Sequence, residues 1–166
     1  MPDISDFEKW FIDRYASLVA ALTVVLGDAH AAEESSAEAF VRAYERWDRV
    51  RHMESPGGWL YQVALNHARR RARRLTRERE LLGRFRPRDV APITLEPELW
   101  EAVRALTDRQ RTAIALRYVL DLSEREVAEV MEVAEGTASA TLATARRRLE
   151  AMLASPTPAE GPWATC

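Results

Sequence analysis

The chain has 166 residues, a formal net charge of −2 and a 47% apolar content, enough for one medium domain or two small ones with a genuine core. The near-neutral sum excludes a protein that coats nucleic acid over its whole surface, yet the charge is unevenly spread. The first forty residues are acidic, with Lys9 and Arg14 their only cations, whereas from Arg42 to Arg88 arginine far outnumbers Glu45, Asp48, Glu54, Glu78 and Glu80. An anionic ligand should therefore meet the middle of the chain. The single cysteine, Cys166, excludes an internal disulfide and a thiolate metal site, and suits a reducing compartment. The opening MPDISDFEKW has no basic stretch followed by an apolar run, and no segment approaches a membrane span. The expected address is the cytoplasm.

Helical periodicity dominates from the start. Ser5 with Glu8 reads as a capping box, and Phe7, Trp10 or Phe11, Arg14, Leu18, Leu22 and Val25 recur at helical spacing until Gly27. A second helix is predicted over 30–48, with Ala37, Phe40, Val41 and Tyr44 inward. Ser55 as N-cap and Pro56 at the first helical position open a third. From about Arg79 to Glu96 the pattern dissolves, and Gly83, Pro87, Pro92 and Pro97 mark a linker. A second helical unit begins near Leu99. Thr107 with Gln110, and Ser123 with Glu126, are capping boxes for helices near 108–120 and 124–132, and a last helix is predicted over 137–153. The proline-rich SPTPAEGPWATC reads as a disordered tail. The fold class is all-α: two small helical domains, 1–78 and 98–154, joined by a flexible linker, 79–97, and followed by the tail, 155–166.

Two stretches carry signals beyond packing. In SPGGWLYQVALNHARRRARR (55–74), Tyr61, Leu65, Ala68, Ala72 and Leu75 form one apolar stripe and Leu60, Val63, Ala64 and His67 another. Between them runs a ridge of Gln62, Asn66, Arg69, Arg70, Arg73 and Arg77. Amides can read base edges and arginines can pair with phosphates or stack on bases, but a plain solvated face fits the ridge equally well. SEREVAEVM, a short turn and TASATLATARRRLEAML have the proportions of a helix-turn-helix, whose second helix enters the major groove. Ala138, Leu142, Ala145, Leu149 and Leu153 would pack inward, leaving Ser139, Ala140, Ala143, Thr144 and Arg147 outside. The end of an ordinary helical bundle is the alternative.

Signals for catalysis are scarce. His30, His52 and His67 lie far apart without metal-ligand spacing, Glu33 and Glu34 are not a facing pair, and no glycine-rich loop precedes a helix in the phosphate-cradling way. The expectation is a protein that binds without catalysing, with no metal, cofactor or small-molecule substrate.

The blocks AEESSAEAFVRAYERWDRV (32–50), SPGGWLYQVALNHARRRARR (55–74), LTDRQRTAIALRYVLDLSEREVAEVM (106–131) and EGTASATLATARRRL (135–149) together resemble the extracytoplasmic-function sigma factors of bacterial RNA polymerase, in the sigma-70 family. The resemblance implies a promoter-specificity subunit that works when bound to core polymerase. It implies that the first module meets the largest polymerase subunit through Glu34, Glu38, Phe40, Arg42 and Trp47. It places Arg51, Ser55, Trp59, Gln62, Asn66, Arg69, Arg70 and Arg73 on the −10 promoter element, with an unstacked base held before Ser55. The second module then meets the other large subunit, and its last helix reads the −35 element with Thr137, Ser139, Ala140, Thr141, Thr144, Arg147 and Arg148. An anti-sigma protein is a further implied partner.

The chain departs from that family's pattern in places. Glu34-Ser35-Ser36-Ala37 stands where an Asp-x-x-Gln is usual, and Met131-Glu132 where Leu-Gly ends the penultimate helix. Ala134 replaces a common capping serine, and Ser139, Thr141 and Thr144 replace basic side chains. Two rivals follow: a sigma-like protein that occupies polymerase without productive initiation, and a stand-alone helix-turn-helix regulator.

Overall fold

A computed structural model describes residues 4–82 and 96–154. Its elements are α1 (Ile4–Leu26), α2 (Ala29–Glu45), α3 (Trp47–Val50), α4 (Pro56–Leu82), α5 (Pro97–Arg104), α6 (Asp108–Ile114) with a π-helical turn over Ala115–Val119, α7 (Glu124–Val130) and α8 (Glu135–Ala154). No strand occurs among the described residues. The expected linker begins four residues late, because α4 continues to Leu82; the remainder of that linker and the tail lie outside the described residues.

Local chemistry sets the boundaries. Gly27 stops α1 at φ 69°, a conformation open to glycine at no steric cost, and its N–H donates to the Thr23 carbonyl. Asp28 then caps α2 by accepting from the Ala31 N–H at 2.9 Å. The expected boxes at Thr107/Gln110 and Ser123/Glu126 are both formed reciprocally. Ser55 accepts from the Gly58 N–H at 3.3 Å to open α4. At the start of the chain, α1 begins at Ile4, so Ser5 lies inside its first turn, where a cap was expected.

The first module is α1 to α4. Phe7, Trp10 and Phe11 of α1 meet Phe40 and Trp47 at centroid separations of 4.8 to 6.5 Å, mostly edge to face. Such pairs add about 0.5–1.5 kcal/mol each beyond their burial. The inward face of α2 differs from expectation. Ala32, Ser35, Ser36, Ala39, Phe40 and Ala43 are buried, while Ala37, Val41 (55% exposed) and Tyr44 (47%) face out. Small side chains let α2 approach α1 and α4 closely, so packing distance overrode residue size.

The second module, α5 to α8, buries Trp100, Val103, Ile114, Leu116, Val127, Ala138, Leu142 and Ala145. Leu153, expected inside, is 49% exposed at the end of α8. The two modules are not separate in space. Packing of α1 against α6 and the π-helical turn runs Leu18 and Leu22 into one apolar cluster with Trp100, Ile114 and Leu116.

Candidate nucleic-acid and polymerase interfaces

The α4 ridge forms in part: Gln62 is half-buried and bonded to Val130, and Ala72, expected in an apolar stripe, is exposed because the helix has left the core by that point. Leu60, Tyr61, Ala64, Leu65 and Ala68 are buried, and Asn66, Arg69, Arg70 and Arg73 are exposed. No ion pair with a described residue engages Arg69, Arg70 or Arg73. Arg71, on the flank, is held at 2.7 Å by Glu34 of α2. Burial of α4 ends at Ala68, so Arg69, Arg70 and Arg73 stand where the helix leaves the core, with no described carboxylate engaging them, an arrangement chemically suited to a phosphate backbone.

The other residues expected to meet the −10 element lie at the head of this helix. Arg51 lies 3.5 Å from Asp48 and 3.9 Å from Asp6. Trp59 is half-buried against the core, and Ser55 is committed to the cap. Gln62 donates through Nε2 to the Val130 carbonyl of the second module at 3.1 Å. A cleft of about 350 Å³ separates Gln62, Asn66 and Arg69 from Asp108, Arg109 and Thr112 of α6 and from Met131 and Glu132. At its floor the Tyr61 hydroxyl is buried beside Thr112 without full hydrogen-bond geometry, and burial pushes its pKa up to about 12 against the opposing influence of Thr112 and Arg69.

The residues expected to meet polymerase divide into two groups. Glu38 and Arg42 pair with each other at 2.8 Å on the surface of α2, and Glu34 is exposed. Phe40 and Trp47 are interior, supporting the face without forming it. Val41 and Tyr44, expected inward, supply the exposed apolar area of that face. Where the usual glutamine is missing, Ser35 is buried within 3.2 Å of His67 Nδ1, and the Ser36 hydroxyl is buried with no hydrogen-bond partner among the described residues.

In α8, Ala140 and Arg147 lie opposite the buried Ala138, Leu142 and Ala145, with Thr137 and Thr144 on their shoulder. Three of the expected −35 residues are already occupied within the protein. The Ser139 hydroxyl donates to Glu124 of α7, and Thr141 bonds back to the Thr137 carbonyl at 2.7 Å. Arg148 bonds Gln110 at 3.0 Å and the Ala105 carbonyl at 3.3 Å. Arg147 reaches Thr144 at 3.4 Å and is the cation left on the outer face. The departure at Met131-Glu132 has a structural counterpart. Glu132 holds φ 55°, which costs a residue with a Cβ about 1–2 kcal/mol.

Other sites are sparse. No group of His, Cys, Asp or Glu among the described residues could hold a metal ion, and no described helix is long and apolar enough to cross a membrane. An apolar groove of about 510 Å³ lies between Leu99 and Val103 of α5, Ile114, Tyr118 and Leu149, with Val24 at its edge.

Comparison with known proteins agrees with this layout. The family model for sigma-70 region 2 matches residues 11–78, and that for sigma-70 region 4 matches residues 97–149. The chain is 28% identical over 161 residues to the ECF RNA polymerase sigma factor SigW of Bacillus subtilis, covering 86% of each. It is 29% identical over 154 residues to SigM of the same organism, covering 88% of this chain and 91% of that one. The fold is shared with the sigma factor RpoE from Bartonella quintana, solved in complex with the anti-sigma factor NepR, at a TM-score of 0.72 and 22% identity, covering 92% and 99%. With the two family regions falling in order on the two helical modules, the chain belongs to the sigma-70 family and is an RNA polymerase sigma factor of the extracytoplasmic-function kind.

Proposed function

We propose the following division of labour. The outward strip of α2, Ala37, Val41 and Tyr44 between the Glu38–Arg42 pair and Glu34, docks on the largest subunit of core polymerase. The segment 51–55 and the α4 ridge engage the −10 element and hold its non-template strand open. The outer face of α8 reads the −35 element, and the apolar groove beside α5 receives the other large subunit. The protein makes and breaks no bond; it acts in the cytoplasm, where its partner acts, and an anti-sigma protein is a candidate inhibitor.

The observation that carries this reading is the row of exposed arginines Arg69, Arg70 and Arg73, unpaired among the described residues, on a helix anchored in the core up to Ala68. Unstacking bases costs a few kcal/mol per step, and phosphate neutralisation along the opened strand offsets part of that. Run-off transcription of genomic fragments with purified core polymerase is the test. Promoter-dependent transcripts are expected, and replacing Arg69, Arg70 and Arg73 by Ala should lower open-complex formation more than Arg147→Ala does. A chain that binds core polymerase and yields no transcript is the non-initiating occupant instead. That rival draws on the neutral, internally bonded face of α8.

A further inference from the structure

The apolar groove of about 510 Å³ beside α5 lies where the described chain ends. Val103 and Ile114 are buried beneath it, and Arg146 and Glu150 of α8 stand on its rim. Tyr118 and Leu153, the large apolar side chains that the second module leaves exposed among the described residues, both line it. One residue past Leu153, at Ala154, α8 ends, and the sequence continues as SPTPAEGPWATC. Pro156, Pro158 and Pro162 oppose continuation of the helix. Trp163 is the single large apolar side chain of 155–166, and Glu160 is its single charge.

We propose that Trp163 docks in this groove in the free chain, making residues 155–166 the groove's resident ligand. Reach allows it. The nine residues from Ala154 to Trp163 span at most about 30 Å, while Leu149 lies only about 8 Å back along the α8 axis. Chemistry favours it as well. An indole brings about 150–250 Å² of surface to bury, Tyr118 offers a ring to pack against, and Arg146 offers a cation to the indole face or to Glu160. A tethered side chain at this range meets the groove at an effective concentration on the order of millimolar, so even weak docking fills it when no competitor is present. On the polymerase assignment above, the docked tail is what the second large subunit displaces; the docking itself does not rest on that reading.

The full-length chain carries its own reporter, because Cys166, three residues beyond Trp163, is its only thiol. Glu150→Cys puts a second thiol on the groove rim, and Ala151→Cys puts one on the opposite side of α8, both at exposed positions. In a mild thiol–disulfide buffer the Glu150→Cys chain should close its intramolecular bridge about tenfold faster than the Ala151→Cys chain, and adding Trp163→Ser should bring the two within about twofold. The thiols are the same with and without Trp163, so a difference in their reactivity cannot produce the loss of bias. Equal rates in the first pair overturn the docking, as does a bias that survives Trp163→Ser. A bridge that forms between two chains and quickens with concentration assigns the groove to a second copy and overturns it too. Trp163→Ser in the otherwise native chain should also tighten binding to core polymerase about two- to fivefold. A Trp163-dependent bias with unchanged polymerase affinity upholds the docking and overturns the polymerase assignment of the groove.

Discussion

The ridge of α4 and the outer face of α8 are both assigned to DNA, and their chemistry is opposite. On α4, Arg69, Arg70 and Arg73 project without a described partner from a helix fixed by Tyr61, Ala64, Leu65 and Ala68. On α8, Ser139, Thr141 and Arg148 are bonded to Glu124, the Thr137 carbonyl, Gln110 and the Ala105 carbonyl, which leaves Arg147 as the cation facing out. Charge without partners gives affinity with little sequence information, whereas small neutral side chains favour shape and thymine methyl contacts over affinity. On the proposed assignment, the contrast divides grip from readout: the first module is expected to supply most of the binding energy, and the second to refine position.

That contrast can be strained most heavily through the core that holds the ridge in place. Phe40→Ala removes the hub of the aromatic cluster and should cost about 3–5 kcal/mol. Because α1 packs against both modules, calorimetry should show one unfolding transition lowered on the order of 10 °C. Two transitions, of which one moves, would mean that the modules unfold independently.

The second module should respond in the opposite direction to Glu132→Gly. Relief of the left-handed backbone, less the entropy glycine adds to the unfolded chain, should stabilise by about 1 kcal/mol. Urea midpoints measure this, and a loss of stability would show that the Glu132 side chain contributes more than its backbone strain.

The smallest effect is alkaline. The raised Tyr61 pKa means that its neutral phenol is favoured in the folded state. Its contribution to stability is complete below the ordinary tyrosine value near 10 and fades as the pH climbs toward about 12. Of the four tyrosines, one should titrate late in the ultraviolet phenolate signal, and Tyr61→Phe should abolish that late step. Since Tyr61 lies beside Thr112 of the second module, the same signal reports the contact between the modules.

Much of this was legible in the sequence because local chemistry dictates it. Gly27, Ser55, the two capping boxes and the α4 ridge are each set by residues within a few positions of one another. What the sequence concealed depends on distant approach. Val41 and Tyr44 read as interior by size, yet the close packing of Ser35, Ser36 and Ala39 turned them outward. Glu54, Gly58, Arg125 and Val130 carry no shared periodicity, and their meeting follows from where α6 lands on α1. Likewise Arg148 and Ser139 matched a reading face by position, and only the neighbouring helices reveal that they are engaged.

The most direct measurement is the salt dependence of promoter binding by the assembled polymerase. Each phosphate that loses its cation should reduce the slope of log affinity against log salt by about 0.9. Replacing Arg69, Arg70 and Arg73 by Ala should therefore flatten the slope by about 3, and Arg147→Ala by about 1 or less. An unchanged slope in the triple variant, with a steep loss from Arg147→Ala, would contradict the account.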